Sequence, residues 1–184
     1  MATRTKVAMV RLSSMAGNHP RIATGRFEES AAFLLSELSP GSASLLVDCT
    51  QNRLCRRKEP LLELEVAFDP RDYDLARLGA SLPRKRIVEE AAVGLALLFL
   101  PHLADGEVTR IAKDWDRNDF WVDWGRCLLE VSGTEDPTRL RSRHRPKVEQ
   151  ARGNPYGLPC FVSLSCFGDL SNVFSFHEAP LCVH

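Results

Sequence analysis

The sequence predicts an α/β fold of the α+β kind, helices and strands around a mixed sheet, with an N-terminal αβ extension over 1–82 packed on a core over 83–184. Three observations point there. Short stretches with strand and helix periods alternate from the start of the chain to the DPRDYD joint. From Pro83 the order becomes helix, strand, strand, helix, strand. No repeat and no low-complexity tract interrupts either half.

In the extension, KVAMVRL and SASLLVDC carry the apolar, β-branched runs of strands. RFEESAAFLLSEL sets Phe27, Ala31, Leu34, Leu35 and Leu38 on one side of a helix. LLELEVAF alternates: Leu62, Leu64, Val66 and Phe68 share one face, Glu63 and Glu65 the other, which is the solvent alternation of a half-buried strand. SPGSAS and DPRDYD are turn-rich joints. In the core, RKRIVEEAAVGLALLFLPHLADG predicts a buried helix of about four turns, closed by Pro101 and the turn ADG. EVTRIAKDW, the strand DFWVDW, the strand CLLEVSG, a basic helix around RLRSRHRPKVEQARG and the strand PCFVSLSCF follow.

Composition bounds the function. With 184 residues, 44% hydrophobic and 26% charged, the chain is long enough for one ample core or one domain with a substantial extension. Lys plus Arg total 24 and Asp plus Glu total 24, so no global basic field announces nucleic acid. Binding of that kind needs local patches, and three exist: Arg53, Arg56, Arg57 and Lys58; Arg84, Lys85 and Arg86; and Arg139, Arg141, Arg143, Arg145 and Lys147. The start lacks the apolar core of a signal peptide, and the greasy run from Ala91 reads as too short for a bilayer, so a cytoplasmic protein without a membrane partner is expected. The 6 cysteines form no CxxC pair and read as thiols, and Cys182, His184 and His177 lack a closed four-ligand zinc spacing.

The chemistry concentrates in DFWVDWGRCLLEVSGT, 119–134. Gly125 and Arg126 between Trp124 and Cys127 suit a two-residue type II′ hairpin loop. That turn would set Trp124 against Cys127, Val122 against Leu129, Trp121 against Glu130, Phe120 against Val131 and Asp119 against Ser132. Phe120, Val122, Trp124, Cys127, Leu129 and Val131 then share an apolar face, while Asp119, Asp123, Glu130 and Ser132 gather on the other. Asp119 and Glu130 become a diagonal pair, about 7 to 8 Å apart. Two carboxylates so close repel unless a cation sits between them, and magnesium, which takes oxygen ligands and typically borrows one or two carboxylates, is the natural one.

These residues resemble the PD-(D/E)XK nuclease superfamily, whose core is a helix, a hairpin, a further helix and a strand. In that resemblance Asp119 corresponds to the Asp, Glu130 to the Glu of E-x-K, and Glu89 or Glu90 in IVEEAA to an acid on the preceding helix. It spans Pro83 to near His177. It implies a restriction-endonuclease-like core and a phosphodiesterase that uses Mg2+ or Mn2+ held by Asp119, Glu130 and Glu89 or Glu90, acting on DNA or RNA. One position departs: EVS stands where E-x-K is expected, so Ser132 occupies the lysine's place. Superfamily members relocate that lysine to the following helix, which makes Lys147 the candidate, with Gln150 and Arg143 one turn to either side and Arg141 further along as nucleic-acid contacts. Pro146 leaves two forms open, a continuous helix or one that begins at Pro146.

Asp114, Asp116 and Asp123 rival Asp119 for the aspartate role; Asp119 lies nearest Glu130 at the open end of the hairpin. A nuclease-like fold without catalysis, serving as a binding or scaffold subunit, is the alternative that Ser132 favours. A larger assembly or a homo-oligomer is a third, suggested by Trp115 and Trp121, which read as exposed. A Ser-His or Cys-His hydrolase lacks a nucleophile in a recognisable elbow near His144 or His177.

Overall fold

The computed structural model describes residues 5–50 and 61–179. Arg53, Arg56, Arg57 and Lys58, and Cys182 and His184, lie outside the described residues.

The N-terminal half supplies strand β1 (Thr5–Arg11), a short helix α1 (Met15–Asn18), helix α2 (Gly25–Leu38), strands β2 (Ser42–Asp48) and β3 (Leu61–Ala67), and helix α3 (Leu75–Ser81). Phe27, Ala31, Leu34 and Leu35 of α2 are buried, whereas Leu38, in its last turn, is exposed. Leu62, Leu64 and Val66 of β3 are fully buried. The C-terminal half follows with helix α4 (Arg84–Ala104), strands β4 (Val108–Ile111), β5 (Phe120–Val122) and β6 (Cys127–Thr134), helix α5 (Pro137–Arg152), and strands β7 (Cys160–Cys166) and β8 (Ser171–His177). The eight strands form one mixed sheet in the order β1-β3-β2-β8-β7-β6-β5-β4, joined between the halves by the parallel pairing of β2 with β8. Helices α2 and α4 pack on each other and, with one face of the sheet, enclose the larger core; α5 covers the other face over Leu128, Val162 and Leu164.

Two local departures from the sequence reading have physical causes. Helix α4 runs through Pro101 to Ala104 and closes on Asp105 in the left-handed region. Proline lacks the amide that would bond the Leu97 carbonyl, and the fully buried His19 meets that carbonyl instead, its Nε2 at 2.7 Å. The other ring nitrogen, Nδ1, accepts from the Val108 amide at 3.0 Å, which fixes the Nε2–H tautomer. Burial holds this imidazole below its ordinary pKa. At 21 residues α4 is long and apolar enough to cross a membrane, and 72% of its apolar stretch is buried inside the fold.

The hairpin turn is longer than two residues. Asp123–Gly125 form a 3-10 turn, with Asp123 and Gly125 both at positive φ. Asp123 leaves the strand because it joins the start of β4: its amide donates to the Glu107 carbonyl at 2.9 Å and its Oδ1 accepts from the Glu107 amide at 2.9 Å. The register therefore slips by two from the expected one, pairing Val122 with Cys127, Trp121 with Leu128 and Phe120 with Leu129. A slip of two leaves every side chain on its expected face.

Helix α5 is continuous across Pro146 and starts at the Asp136 cap, so Lys147 sits inside a helix, not at its N-terminus. Helix α4 lies on β6 at Gly133, where a Cβ would come within 2.5 Å of the Val88 carbonyl oxygen, so only glycine permits that approach.

Candidate active site

A cleft of about 570 Å³ opens where the N-terminal half of α4, the β4–β5 connection, β6 and α5 meet. Two of its carboxylates are placed by the hairpin. The Asp119 amide donates to the Leu129 carbonyl at 3.0 Å, on the residue that pairs with Phe120, which ties Asp119 to β6 beside Glu130. Asp119 Oδ2 then accepts the Val131 amide at 2.7 Å.

Glu130 is 1% exposed. Its Oε1 accepts from Lys147 Nζ, and from Gln150 Nε2 at 3.0 Å. Its Oε2 is buried and has no hydrogen-bond partner among the described residues. Burial first, and the charge of Asp119 second, push the Glu130 carboxyl up to about 7, against the pull of Lys147 and Gln150. Burial likewise raises Asp119, opposed by the Val131 amide and the charge of Lys147.

The helical acids divide. Glu89 is half-exposed, 3.8 Å from Lys85, and its charge is felt at Asp119. Glu90 is buried toward α2, where it accepts from Ser30 Oγ at 3.3 Å, and it accepts from Arg86 Nε of its own helix at 2.9 Å, although it also lines the cleft. Ser132 lines the cleft beside Val131. Gln150 also accepts from Lys147 at 3.2 Å and donates to the Arg117 carbonyl at 3.3 Å, a small network that holds the lysine over Glu130. Arg143 borders the cleft and donates to the Gly133 carbonyl at 2.9 Å. Arg141 is exposed on the same helix and is not among the residues that line the cleft.

Among the rivals of Asp119, Asp114 lines the cleft, whereas Asp116 and Asp123 hold the fold. Asp116, 3% exposed, accepts from the Lys113 amide, Trp121 Nε1 and Tyr156 Oη. Trp121 is consequently buried, correcting its expected exposure; Trp115 is exposed. His144 and His177 lie 2.8 and 2.9 Å from Ser175 Oγ, but that serine is fully buried and ties α5 to β8, with no approach for an acyl substrate.

Sequence reading did not include Arg26, Lys113 and Arg117 in the site. They reach the cleft rim from α2 and the β4–β5 connection, and with Arg86, Arg143 and Lys147 they put six cations around five carboxylates. No motif spacing links these elements, so only their packing brings the cations together.

The donor set suits a hard divalent cation on two counts. Asp119 and Glu130 are neighbouring oxygen donors, and a buried carboxylate oxygen with no partner is an unmet electrostatic demand that a cation would satisfy. Among the described residues no group of three or more His, Cys, Asp or Glu converges to hold a metal ion, so any such ion would rest on two carboxylates and water. No protein-family model, curated protein or solved structure matches the chain.

Proposed function

We propose that the cleft is the centre of a metal-dependent nuclease of the PD-(D/E)XK kind, built on a restriction-endonuclease-like core, that hydrolyses phosphodiester bonds in DNA or RNA. The observation that carries this reading is Glu130: one oxygen on Lys147 and Gln150, the other buried and open, with the charge of Asp119 close enough to act on it.

Asp119 and Glu130 would hold Mg2+ or Mn2+, with Glu89 beside them, and the ion would supply Lewis acidity to a phosphate and lower the pKa of a bound water. Lys147 takes the role that Ser132 vacates: from α5 its ammonium stands at Glu130, where it orients an attacking water and offsets charge on the phosphorane. Gln150 fixes that lysine, and the arginines of the rim, Arg143 foremost, hold the phosphates to either side. Arg141, outside the cleft, contacts the backbone further along the strand. Balanced charge over the chain and a cationic rim together suit a protein that meets nucleic acid at one place only.

The test is cleavage of single- and double-stranded DNA and RNA with Mg2+ or Mn2+ by wild type, Asp119→Ala and Glu130→Ala, paired with Mn2+ binding by calorimetry. Loss of both cleavage and binding in the two variants supports the site. Activity that survives both substitutions overturns it.

A second reading, a nuclease-fold scaffold without catalysis, is favoured by one observation: Lys147 already neutralises Glu130 without a metal. That reading expects no Mn2+ binding in wild type and no effect of Glu130→Ala on the assembly of partners.

A further inference from the structure

We infer that a rigid shelf beside the cleft stacks the bases of an unpaired strand, so that the substrate of the proposed nuclease is single-stranded nucleic acid; the inference rests on the reading of the cleft as a phosphodiesterase site.

The shelf is the edge of the sheet and the turn that follows it. Ile111 is 53% exposed, Trp115 65% and Tyr156 46%, and the three border one hollow with Arg110, Lys113 and Trp121. Cations sit among the rings: Lys113 Nζ lies 5.1 Å from the Trp115 ring centre, and the Arg110 guanidinium lies 4.4 Å above Trp121, whose other neighbour is Tyr156 with ring centres 4.9 Å apart. Isolated exposed apolar residues are ordinary, but three together, interleaved with cations, match an anionic chain that also carries flat apolar faces.

The shelf is preorganised. The buried Asp116 carboxylate accepts from the Lys113 amide at 2.8 Å, from Trp121 Nε1 at 3.0 Å and from Tyr156 Oη at 2.6 Å. One carboxylate thereby holds the turn, the indole beneath it and the tyrosine beside it, and Trp115, in the same 3-10 turn, stands in solvent on a fixed base. With Asp116 turned inward on three donors, Asp114 is the exposed acid of this turn, against Arg110, Lys113 and Arg117.

The shelf continues into the cleft. Ile111 and Lys113 border both the hollow of Trp115 and the cleft of Glu130, and Arg117, on the cleft rim, passes its carbonyl to Gln150. A strand whose phosphate lies at Asp119 and Glu130 would run its next nucleotides over Lys113 to Trp115. In a duplex the base faces are hidden in the stack, and an exposed indole has nothing to stack on; an unpaired strand offers those faces.

The experiment measures binding without cleavage, in EDTA, of labelled oligo-dT and oligo-U and of a blunt hairpin duplex, by anisotropy and by quenching of tryptophan fluorescence. Wild type is expected to bind both single strands more tightly than the duplex. Trp115→Ala is expected to weaken the single strands about 5- to 150-fold and leave the duplex unchanged, Trp115→Phe to weaken them less, and Lys113→Ala to lower the salt dependence. Equal affinity of Trp115→Ala and wild type for single strands overturns the inference, as does Trp115-dependent self-association in sedimentation without oligonucleotide binding, which would make the shelf a contact between copies. Glu130→Ala separates the two claims. Trp115-dependent binding with no Glu130-dependent cleavage removes the nuclease and leaves the shelf; Glu130-dependent cleavage of duplex with no effect of Trp115 removes the shelf and leaves the nuclease.

Discussion

Lys147 on α5 donates to Oε1 of Glu130 on β6, 17 residues earlier in the chain, and the second oxygen of that carboxylate is buried without a partner. The pair joins a helix to the sheet and leaves one buried oxygen unanswered, which makes it sensitive to substitution, to metal and to pH.

Removing the lysine leaves a buried acid with one neutral side-chain donor, Gln150. Lys147→Met is expected to lower stability at pH 8 by about 1–3 kcal/mol, read from urea denaturation, and the double substitution with Glu130→Gln by less than the sum. Ser132→Lys, which restores the E-x-K pattern, is expected to recover cleavage lost in Lys147→Met. Failure of that rescue, with Mn2+ binding intact, would show that Lys147 acts from its helix in a way that position 132 cannot reproduce.

Metal must displace a proton from Glu130 wherever that group is protonated. With the carboxyl raised to about 7, Mn2+ affinity should climb about tenfold per pH unit from pH 5 to 7 and level off above, with proton uptake by buffer in calorimetry. A flat affinity across that range would remove Glu130 from the ligand set.

Without metal, the same shift bears on stability in the opposite sense. Glu130 binds its proton more tightly folded than unfolded, so its contribution is full below the unfolded pKa of 4.5 and declines as pH rises through about 7. His19, His144 and His177, all held below 6.5 by burial, with His177 at about 4, act the other way: the unfolded chain takes up their protons first, and stability falls as pH drops below 6.5. The two effects therefore oppose each other over one window, from about pH 4.5 to 7, which thermal unfolding across that range reads as their sum. Glu130→Gln should steepen the loss of stability on acidification between about pH 7 and 4.5 and leave the profile above pH 7 unchanged.

His19 offers a test of the helix it serves. His19→Ala strips the Leu97 carbonyl and the Val108 amide of their partner and is expected to destabilise by about 2–4 kcal/mol. Pro101→Ala returns an amide to the Leu97 carbonyl within the helix, so in the His19→Ala background it should recover part of that loss. An additive pair of effects would mean that the proline and the histidine do not answer each other.

The two faces of 119–134 were legible because side-chain alternation has period two, and a slip of two residues preserves it. The slip itself was not legible: it follows from the bonds of Asp123 with Glu107, 16 residues upstream. The same limit hid the length of α4, which runs past Pro101 on the strength of a histidine 78 residues from Leu97. Trp121 looked like a surface ring because nothing adjacent announces that Asp116 and Tyr156 enclose it. Strand β8 was missed for a different reason: Asn172 and Ser175 are buried by bonding to Ser163, Ser165, Val162 and the histidines, so polar residues occupy core positions that a hydrophobic pattern cannot flag. The carboxylates and Lys147 could be proposed from spacing and resemblance, whereas the arginines of the rim come from separate elements with no shared period.

The ring of His19 has a consequence for the order in which the chain matures. Its two partners, Leu97 and Val108, are 78 and 89 residues further on, and Leu46 of β2 pairs with Ser171 of β8, 125 residues further on. A nascent chain emerging from the ribosome thus carries an open β2 edge and an unanswered imidazole until these downstream segments have been made. Long-range closure of this kind is slow and exposes edges to mispairing while it waits.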